Sequence, residues 1–520
     1  MDPRPRLKIS RMTHYFGDDE FEDCNCLGTF YESINIMAGF TKTGQDTMDE
    51  DICFSNFSLS SDNYYFLYIG EIKAHGLTDY LAKALAPRCN RPVSCLSIVP
   101  DILGEYNYEN IVALSPLLAR NREQYGRRIS FRTPMQDFAG AVSHHPAILD
   151  SIEQILARQA ELFLFMFESL PEMTLDRLPN VSLLGPDKTL ARKLNNKAFQ
   201  FELLHGRIPM VDFRVCASLA ELMDVSADLY QKWLAGIFVS RPYSAAGAAS
   251  AITRCPQDIT EKFGEQDSAF LLTRYVPHEY DPTVLAVVAN PDDVYIAGVA
   301  DQCIEGGNRF VGSTWPSRLP RKNLEELYQS TREVGRVIGG LGYRGIFGCD
   351  YIIDRDDQVK FIEINGRKQG TTLEFCHALA QILPAGSPSL PELEYWAVTE
   401  NRFPENTVEP APDCRPGFCW GTYNYKTTSR IQTQRQLPQD RHERELFAGA
   451  AAGTIKQDCV LLEHVGENRT VLPGTFLART VAVGCDPQIV SSTLARAKEK
   501  IQATIRAEDK SFHSTLSFLL

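Results

Sequence analysis

The chain has 520 residues, which is too long for one hydrophobic core, so roughly two to four domains are expected. Its hydrophobic content of 44% and its charged content of 23% are ordinary for a globular protein. The net charge of −13 argues against a nucleic-acid partner, which would require a basic face, but a locally basic pocket for phosphates is not excluded.

The cysteines and the amino-terminal residues bear on the cellular compartment of the protein. The 14 cysteines are scattered and form no Cys-x-x-Cys pairs, so they are interpreted as reduced thiols. The first residues, MDPRPRLKIS, contain no apolar signal core, and no apolar run approaches the roughly 18 residues that span a bilayer. A cytoplasmic protein without a membrane partner is therefore predicted.

Strands and helices alternate in the first part of the chain after an uncertain start. Residues 1–60 are interpreted as a loosely structured lead-in or a strand-and-loop cap, and a homodimer contact there is one alternative. Alternating strands and helices predict a doubly wound parallel sheet. The predicted strands are 64–69, 92–98, 162–167 and 181–184, and the predicted helices are 77–85, 110–119 and 147–161.

The pattern changes in the middle of the chain. A helix carrying several lysines is predicted over 189–205, and strands over 237–242 and 270–276 flank a loop of small residues. Two further strands alternate as an antiparallel meander should. They cover 283–289 and 294–299 and precede an amphipathic helix over 324–341.

A hairpin with one acid in each strand follows that helix. The sequence of 345–372 is GIFGCDYIIDRDDQVKFIEINGRKQGTT, in which Asp350 and Glu363 lie in short apolar strands around a polar turn. A carboxylate in such a strand costs several kcal/mol unless it is paired or bound to a cation. With Asn365 as a neutral oxygen ligand and Arg367 as a positive fork, the hairpin indicates a magnesium–polyphosphate site. Ordinary ion pairs of the two acids with lysine or arginine are the alternative.

The string Phe361-Ile362-Glu363-Ile364-Asn365-Gly366-Arg367 resembles the metal-binding signature of the ATP-grasp superfamily. This is the fold of biotin carboxylase, D-alanine ligase and many peptide-forming ligases. Its usual form is an acid in one strand, about a dozen residues, and then Glu-x-Asn-x-Arg. The continuation Lys368-Gln369-Gly370-Thr371-Thr372 looks most like ligases that join an amino-acid or peptide carboxylate to an amine.

The resemblance implies a set of phosphate-binding residues. Lys197 is the lysine expected to reach the phosphates, with Lys193 as the second choice and a solvated basic helix face as the alternative. Arg241 ends a strand where relatives have lysine. The following loop, 244–250, would close over the phosphates through backbone N–H groups, with Ser244 and Gly247 among its residues. Arginine keeps the positive charge, but its presence and the alanine-rich loop leave open whether the chain turns over ATP.

The resemblance also implies an adenine hinge in the strand around 270–276. Backbone groups of Arg274 and Val276 would pair with the adenine edge, so their side chains are loosely constrained. Glu279 is the candidate for the ribose hydroxyls, with an exposed surface glutamate as the alternative.

After a predicted helix over 375–383, seven prolines between 384 and 416 indicate a linker or a strand-poor wrap. A small α+β lobe is predicted beyond it, with strands at 460–462 and 476–483 and a helix at 489–507. The expected fold class is therefore α/β, an ATP-grasp fold with an amino-terminal Rossmann-like sheet and a small carboxy-terminal lobe. The expected divisions are 1–60, 61–186, 187–385 with a lid at about 210–275, and 386–520.

The resemblance implies an ATP-dependent ligase that activates a carboxylate as an acyl phosphate and joins it to an amine. ATP and one or two Mg²⁺ are the implied cofactors, with Mn²⁺ as an alternative ion. Asp350, Glu363 and Asn365 would bind the metal, and Arg367 and Arg241 would be the catalytic cations. Two other functions stay open: a biotin carboxylase-like enzyme that activates bicarbonate, and an ATP-binding scaffold without catalysis.

Overall fold

A computed structural model describes most of the chain. The described residues are 52–55, 59–100, 111–114, 134–243, 250–264, 268–305, 309–427, 429–433, 443–464, 470–473 and 476–516. The predicted lead-in of 1–60 therefore lies outside the described residues except for 52–55 and 59–60.

The amino-terminal unit contains a six-stranded sheet of order β1-β4-β3-β2-β5-β6, in which every pair is parallel except β1 with β4. Its strands are β1 Ile52–Ser55, β2 Tyr64–Ile69, β3 Val93–Val99, β4 Ile111–Leu114, β5 Leu162–Met166 and β6 Val181–Leu184. Its helices are α1 Leu77–Cys89, α2 Met135–His144 and α3 Pro146–Leu156. The predicted parallel sheet is confirmed. Buried strands of this kind read as continuous apolar runs, which is why they were recognisable.

The predicted helix over 110–119 is wrong for its first part, where the structure has β4 instead. This strand pairs in parallel with β3 and antiparallel with β1. A four-residue apolar run does not distinguish a strand from a helix by periodicity, so pairing with neighbouring strands decides its conformation. Residues 115–119 lie outside the described part of the chain.

The next unit contains a four-stranded antiparallel sheet of order β7-β10-β8-β9. Its strands are β7 Phe213–Cys216, β8 Ile237–Ser240, β9 Ser250–Thr253 and β10 Phe270–Arg274. The accompanying helices are α4 Lys188–Leu194, α5 Lys197–Leu204, α6 Leu219–Lys232 and α7 Pro256–Phe263. A core around Leu222, Trp233 and Phe263 covers one face of this small sheet.

The single helix predicted over 189–205 is two helices, α4 and α5. The Asn196 side chain accepts a hydrogen bond of 3.1 Å from the backbone N–H of Phe199 and so caps α5. Asparagine is favoured at such caps because its side chain competes with the helical hydrogen bonds of the backbone. The break places Lys197 in the first turn of a new helix.

A nine-stranded sheet forms the centre of the molecule, with order β11-β15-β12-β13-β14-β17-β21-β19 and β16 paired to β15. Its strands are β11 His278–Tyr280, β12 Pro282–Val288, β13 Val294–Glu305, β14 Arg309–Trp315, β15 Gly345–Asp354, β16 Val359–Asn365, β17 Cys419–Lys426, β19 Gln457–His464 and β21 Phe476–Gly484, while β18 Ile431–Gln432 and β20 Thr470–Val471 form a separate pair. The helices of this part are α8 Arg321–Gly340, α9 Thr372–Ile382, α10 Leu390–Glu400, α11 Glu443–Ala451 and α12 Pro487–Leu516.

Successive residues of β12 pack on opposite faces of the central sheet. Leu285 and Val287 belong to a core shared with the amino-terminal unit, whereas Val284 and Ala286 belong to a core shared with α8. This follows from the two-residue period of a strand. Both faces of β12 are therefore covered. This packing fixes the position of the middle of the central sheet, which carries the candidate site.

The carboxy-terminal strands continue the central sheet, because β14 pairs with β17 and β17 pairs with β21. The proline-rich segment is not an extended linker, since it contains α10, whose Leu390, Leu393 and Tyr395 are buried. The domain divisions stay a prediction. Within the described residues, no helix has the length and apolarity required to cross a membrane.

Candidate active site

The hairpin predicted from the sequence is present as β15 and β16, an antiparallel pair in which Asp350 lies directly opposite Glu363. The turn is fixed by Asp354, whose Oδ1 accepts hydrogen bonds from the backbone N–H groups of Asp356 at 3.0 Å and Gln358 at 2.9 Å. Asp357 takes the left-handed conformation with φ of 57°, which aspartate tolerates in turns. The turn chemistry thus sets the register that brings the two carboxylates together.

Asp350 lies at the floor of a cleft and accepts two short hydrogen bonds, together with a longer one of 3.4 Å from Gln369 Nε2 to its Oδ1. Thr283 Oγ1 donates to its Oδ1 at 2.7 Å, and Asn365 Nδ2 donates to its Oδ2 at 3.0 Å. Burial and the negative charge of Glu363 raise the pKa of Asp350 to about 6, although the two hydrogen bonds and Lys197 act in the opposite direction. A carboxylate with this environment is stabilised by a nearby cation.

The variant Asp350→Asn is expected to be more stable than the parent above pH 6. Because the pKa of Asp350 is raised from 3.8 to about 6 on folding, its charge destabilises the folded state above that pH. The advantage should reach at most about 3 kcal/mol and should vanish as the pH falls below about 4, where the aspartate is protonated in both states.

Denaturant titrations of both proteins from pH 4 to pH 8 test this expectation. The matched control is Glu279→Gln, since Glu279 is exposed and its replacement should give no pH-dependent difference. An Asp350→Asn difference that is constant across this pH range would contradict the assigned pKa.

Glu363 forms an ion pair with Lys197. The position of Lys197 is fixed by the buried Gln200, whose Nε2 donates to Ile364 O and whose Oε1 accepts from Ile364 N, both at 2.8 Å. The helix α5 is thereby clamped to β16, and its lysine faces the carboxylate of the same strand. Sequence reasoning missed Gln200, because nothing in the sequence relates it to a strand more than 160 residues later.

Arg367 lies beside the carboxylate pair. Its Nη2 donates to Asn365 Oδ1 at 3.1 Å, its Nη1 donates to the carbonyl oxygen of Lys368 at 3.1 Å, and its Nε is 3.9 Å from a carboxylate oxygen of Glu168. The positive charge of the guanidinium is therefore only weakly neutralised by Glu168. Arg367 lines the cleft, and a guanidinium group can bind a carboxylate or a phosphate through two N–H groups.

A cleft of about 330 Å³ lies between the small sheet and the central sheet. Of the predicted site residues, seven line it: Lys197, Arg274, Val276, Asp350, Glu363, Asn365 and Arg367. Arg241 follows β8 without reaching the lining, and its buried Nε has no hydrogen-bond partner among the described residues. Ser244 and Gly247 lie outside the described residues.

The predicted adenine hinge lies at one end of this cleft. The backbone N–H of Arg274 donates to Asp212 O at 2.8 Å, and its side chain is 3.3 Å from the Asp212 carboxylate. Val276 O accepts a hydrogen bond of 2.7 Å from His278 Nδ1. The N–H group of Arg274 is therefore already used within the protein.

The structure does not bring Glu279 into the cleft. It lies exposed on β11, while its neighbours His278 and Asp281 line the cavity. His278 Nε2 is 2.9 Å from Asp281 Oδ1. Burial lowers the pKa of His278, but the hydrogen bonds to Asp281 and to Val276 O more than compensate, so its pKa lies above the ordinary value. Sequence reasoning missed this pair.

A second feature that the sequence did not reveal is the buried ion pair of Lys368 with Glu394. Their charged atoms are 2.5 Å apart, and both side chains are almost fully buried. Lys368 Nζ also donates to Met166 O at 2.7 Å. Burial lowers the pKa of the lysine and raises that of the glutamate, but each partner counteracts the shift of the other. The pair joins α10, β5 and the segment that carries Arg367.

The carboxylate pair is a candidate metal site with few protein ligands. No group of three or more histidine, cysteine or acidic side chains suitable for a metal occurs in the part of the chain that the structure describes. Mg²⁺ commonly takes one or two carboxylates and completes its coordination with water and phosphate oxygens. Two partly buried carboxylates, one with a raised pKa, fit that requirement.

A doubly wound sheet, a small antiparallel lobe and a central sheet with this hairpin define an ATP-grasp fold. Residues 225–371 match the family model of the ATP-grasp domain. This part of the chain is therefore similar to an ATP-grasp domain, and the ATP-grasp resemblance and the fold class predicted from the sequence are confirmed.

Comparisons with curated proteins give distant relatives. The chain is 20% identical over 198 residues to [Butirosin acyl-carrier protein]--L-glutamate ligase of Niallia circulans, which covers 37% of this chain and 47% of that protein. It is 27% identical over 127 residues to L-propargylglycine--L-glutamate ligase of Streptantibioticus cattleyicolor, which covers 24% of this chain and 25% of that protein. The matches thus span less than half the length of either relative.

A solved structure supports the fold over a longer range. The biotin carboxylase domain of Hydrogenobacter thermophilus 2-oxoglutarate carboxylase, a dimer in complex with MgADP, ADP and bicarbonate, superposes with a TM-score of 0.54 at 12% identity. The similarity covers 83% of this chain and 89% of that chain. At this identity the comparison establishes the architecture alone.

Proposed function

We propose that the protein is an ATP-dependent carboxylate–amine ligase. The observation that carries the proposal is the pairing of Asp350 with Glu363 on the floor of a cleft that Lys197 and Arg367 also line. Two acids and two cations in one cavity match the needs of phosphoryl transfer, in which the protein mainly positions groups and stabilises charge.

The nucleotide would lie between the two sheets. Lys197 and Arg241 are the cations proposed for its phosphates, and the loop containing Ser244 and Gly247 is proposed to cover them. Backbone groups of the segment from Arg274 to Val276 are proposed for the adenine. Support comes from the position of this segment at the edge of the cleft. The ribose role of Glu279 has no support from its exposed position.

Asp350, Glu363 and Asn365 are proposed to hold one or two Mg²⁺, with Mn²⁺ as an alternative. The ion would neutralise charge on the phosphate oxygens and orient them. In the structure, two cationic side chains contact the proposed metal ligands: Lys197 pairs with Glu363, and Arg367 donates to Asn365 Oδ1. In the proposed complex both cations turn toward bound anions, Lys197 to phosphate and Arg367 to the carboxylate substrate.

The proposed reaction has two steps. An oxygen of the substrate carboxylate attacks the terminal phosphorus of ATP, the bond to the bridging oxygen breaks, and ADP leaves. The amine nitrogen then attacks the acyl carbon, a carbon–nitrogen bond forms, phosphate leaves with the electron pair of the carbon–oxygen bond, and the nitrogen loses a proton. Arg367 is proposed to orient the carboxylate and to stabilise the tetrahedral adduct. Exclusion of water by the cleft would protect the acyl phosphate.

The names of the two curated relatives support this class of reaction, since both are L-glutamate ligases. For this chain, small-molecule acid and amine substrates and a cytoplasmic location are parts of the proposal, and a homodimer is compatible with it. The decisive experiment is mass spectrometry of products after incubation with Mg-ATP and pooled amino acids. An amide product together with ADP would support the proposal, and ATP binding without any product would favour a scaffold.

Arg241→Ala is expected to weaken ATP binding about tenfold or more, because it removes the proposed contact between a positive side chain and the phosphates. Arg241→Lys should retain most of the affinity, because lysine keeps the positive charge. Titration calorimetry with Mg-ATP measures both variants. Arg214→Ala is the control, since Arg214 is an exposed arginine of the same lobe. Equal affinities of the two Arg241 variants would show that this position does not contact the phosphates.

A further inference from the structure

Among the residues that the structure describes, the lining of the far end of the cleft, beyond β12, carries no charged side chain. Gln302 and Ile304 on β13 lie opposite Ser313 and Phe310 on β14, and all four line the cavity. Because neighbouring strands are about 4.8 Å apart, β14 lies about 14 Å from β15 across the sheet. This end of the cleft is too far from the carboxylate pair to contact the transferred phosphate, and it is therefore available to a substrate.

Three buried polar atoms of the cleft have no hydrogen-bond partner among the described residues: Ser313 Oγ, Gln369 Oε1 and Thr371 Oγ1. The three residues are 0%, 8% and 3% exposed, respectively. The orientation of the Gln369 amide is set by its Nε2, which donates to Thr283 Oγ1 at 2.9 Å, so Oε1 presents an acceptor. Buried polar groups in native proteins are normally paired, so these atoms point to a ligand with hydrogen-bonding groups.

Apart from Arg367, no cation in the described lining of the cleft is left without an acidic partner, since His278 already pairs with Asp281. Lysine and arginine side chains in its lining are Lys197, Arg274 and Arg367. Lys197 pairs with Glu363, and Arg274 pairs with Asp212. Arg367 is the guanidinium assigned above to the acid substrate, and Arg241 lies on the small sheet with the proposed phosphate site. A free carboxylate on the amine substrate would therefore be buried without a partner, which is costly.

We propose that the amine substrate is uncharged at its far end. It would be an amino-acid amide, or an amino acid or peptide whose carboxyl group is covalently blocked, rather than a free amino acid. Ser313 and Thr371 would bond its carbonyl or amide groups, and Gln369 Oε1 would accept an N–H. A site that bonds polar groups in this way discriminates strongly against substrates that lack them or that bring an unpaired charge. This inference rests on the proposed ligase function.

The test compares matched acceptors with the full chain, Mg-ATP and pooled carboxylate donors. Each amino acid is supplied once as the free acid and once as its carboxamide, and ADP release and product mass are followed. At least tenfold higher kcat/KM is expected for the carboxamides. Equal or higher values for the free acids would overturn this inference and leave the ligase proposal intact. No ADP release with any pair would overturn both.

A charge introduced at Gln302 provides a second test. Gln302→Lys places a cation at the far end of the cleft. It should raise kcat/KM for amine acceptors with a free carboxyl group at least tenfold relative to the corresponding carboxamides. Gln302→Met, which has a similar length and no charge, should keep the parental preference. KM for ATP should change by the same small factor, if any, in both variants, because Gln302 reaches the proposed adenine segment only through the contact of its backbone N–H with Asp281 O, which neither substitution removes. An unchanged preference in Gln302→Lys would contradict the proposed placement of the acceptor.

Discussion

Glu363→Gln is expected to lower the rate of ADP formation about a hundredfold to a thousandfold, because removal of one charge-stabilising group from an active site has an effect of that size. Glutamine preserves the shape of the side chain and can still accept a hydrogen bond from Lys197. The substitution therefore isolates the loss of negative charge at the proposed metal site. Asp350 would then be the one carboxylate left among the proposed metal ligands, beside the neutral Asn365.

The measurement is ADP release at saturating Mg-ATP, repeated over a range of Mg²⁺ concentrations. Glu279→Gln is the matched control, since it makes the same chemical change on the exposed face of β11. The control should retain the parental rate at every Mg²⁺ concentration. Parental turnover in Glu363→Gln would remove Glu363 from the metal site and with it the main argument for the ligase.

Lys368→Met is expected to destabilise the fold by about 3–5 kcal/mol, because it leaves the buried carboxylate of Glu394 without its cation. The two side chains are 2% and 1% exposed, so water cannot replace the lost partner. The substitution also removes the hydrogen bond to Met166 O that connects this segment to β5.

Denaturant unfolding measures the loss, and the double variant Lys368→Met/Glu394→Leu supplies the critical comparison. Replacing both charges by apolar groups should restore most of the stability, since a buried pair contributes little compared with an apolar pair of similar volume. Arg321→Met is the control for an exposed pair, because Arg321 and Glu325 are both exposed, and it should not move the midpoint. A parental midpoint in Lys368→Met would contradict the burial of the pair.

The hairpin could be predicted because its information is local. Alternating apolar residues define β15 and β16, and the acidic turn between them fixes the register that opposes Asp350 and Glu363. The amphipathic helix α8 was predictable for the same reason. The sequence therefore predicted the site residues that lie in or next to a single helix or strand. Arg367, which directly follows the hairpin, is an example.

Contacts between distant segments could not be predicted. Gln200 is a polar residue inside an apolar helix pattern, and only the folded chain brings it to the backbone of Ile364. The pairing of Lys368 with Glu394 has the same origin. The short run at β4 was assigned to a helix because its partner strands lie elsewhere in the chain. Tertiary pairing, rather than local propensity, decided each of these cases.

The extension of the central sheet by β17 has a consequence for synthesis. β14 has β13 on one side, but its other neighbour, β17, follows only after α8, the hairpin, α9 and α10. An unpaired strand edge can recruit other chains. At translation rates of roughly 5–20 residues per second, β14 leaves the ribosome roughly 5–20 s before the residues that cover it. The nascent chain therefore passes through an aggregation-prone interval, and its solubility while it is being made depends on how quickly the segment from β14 to β17 is completed.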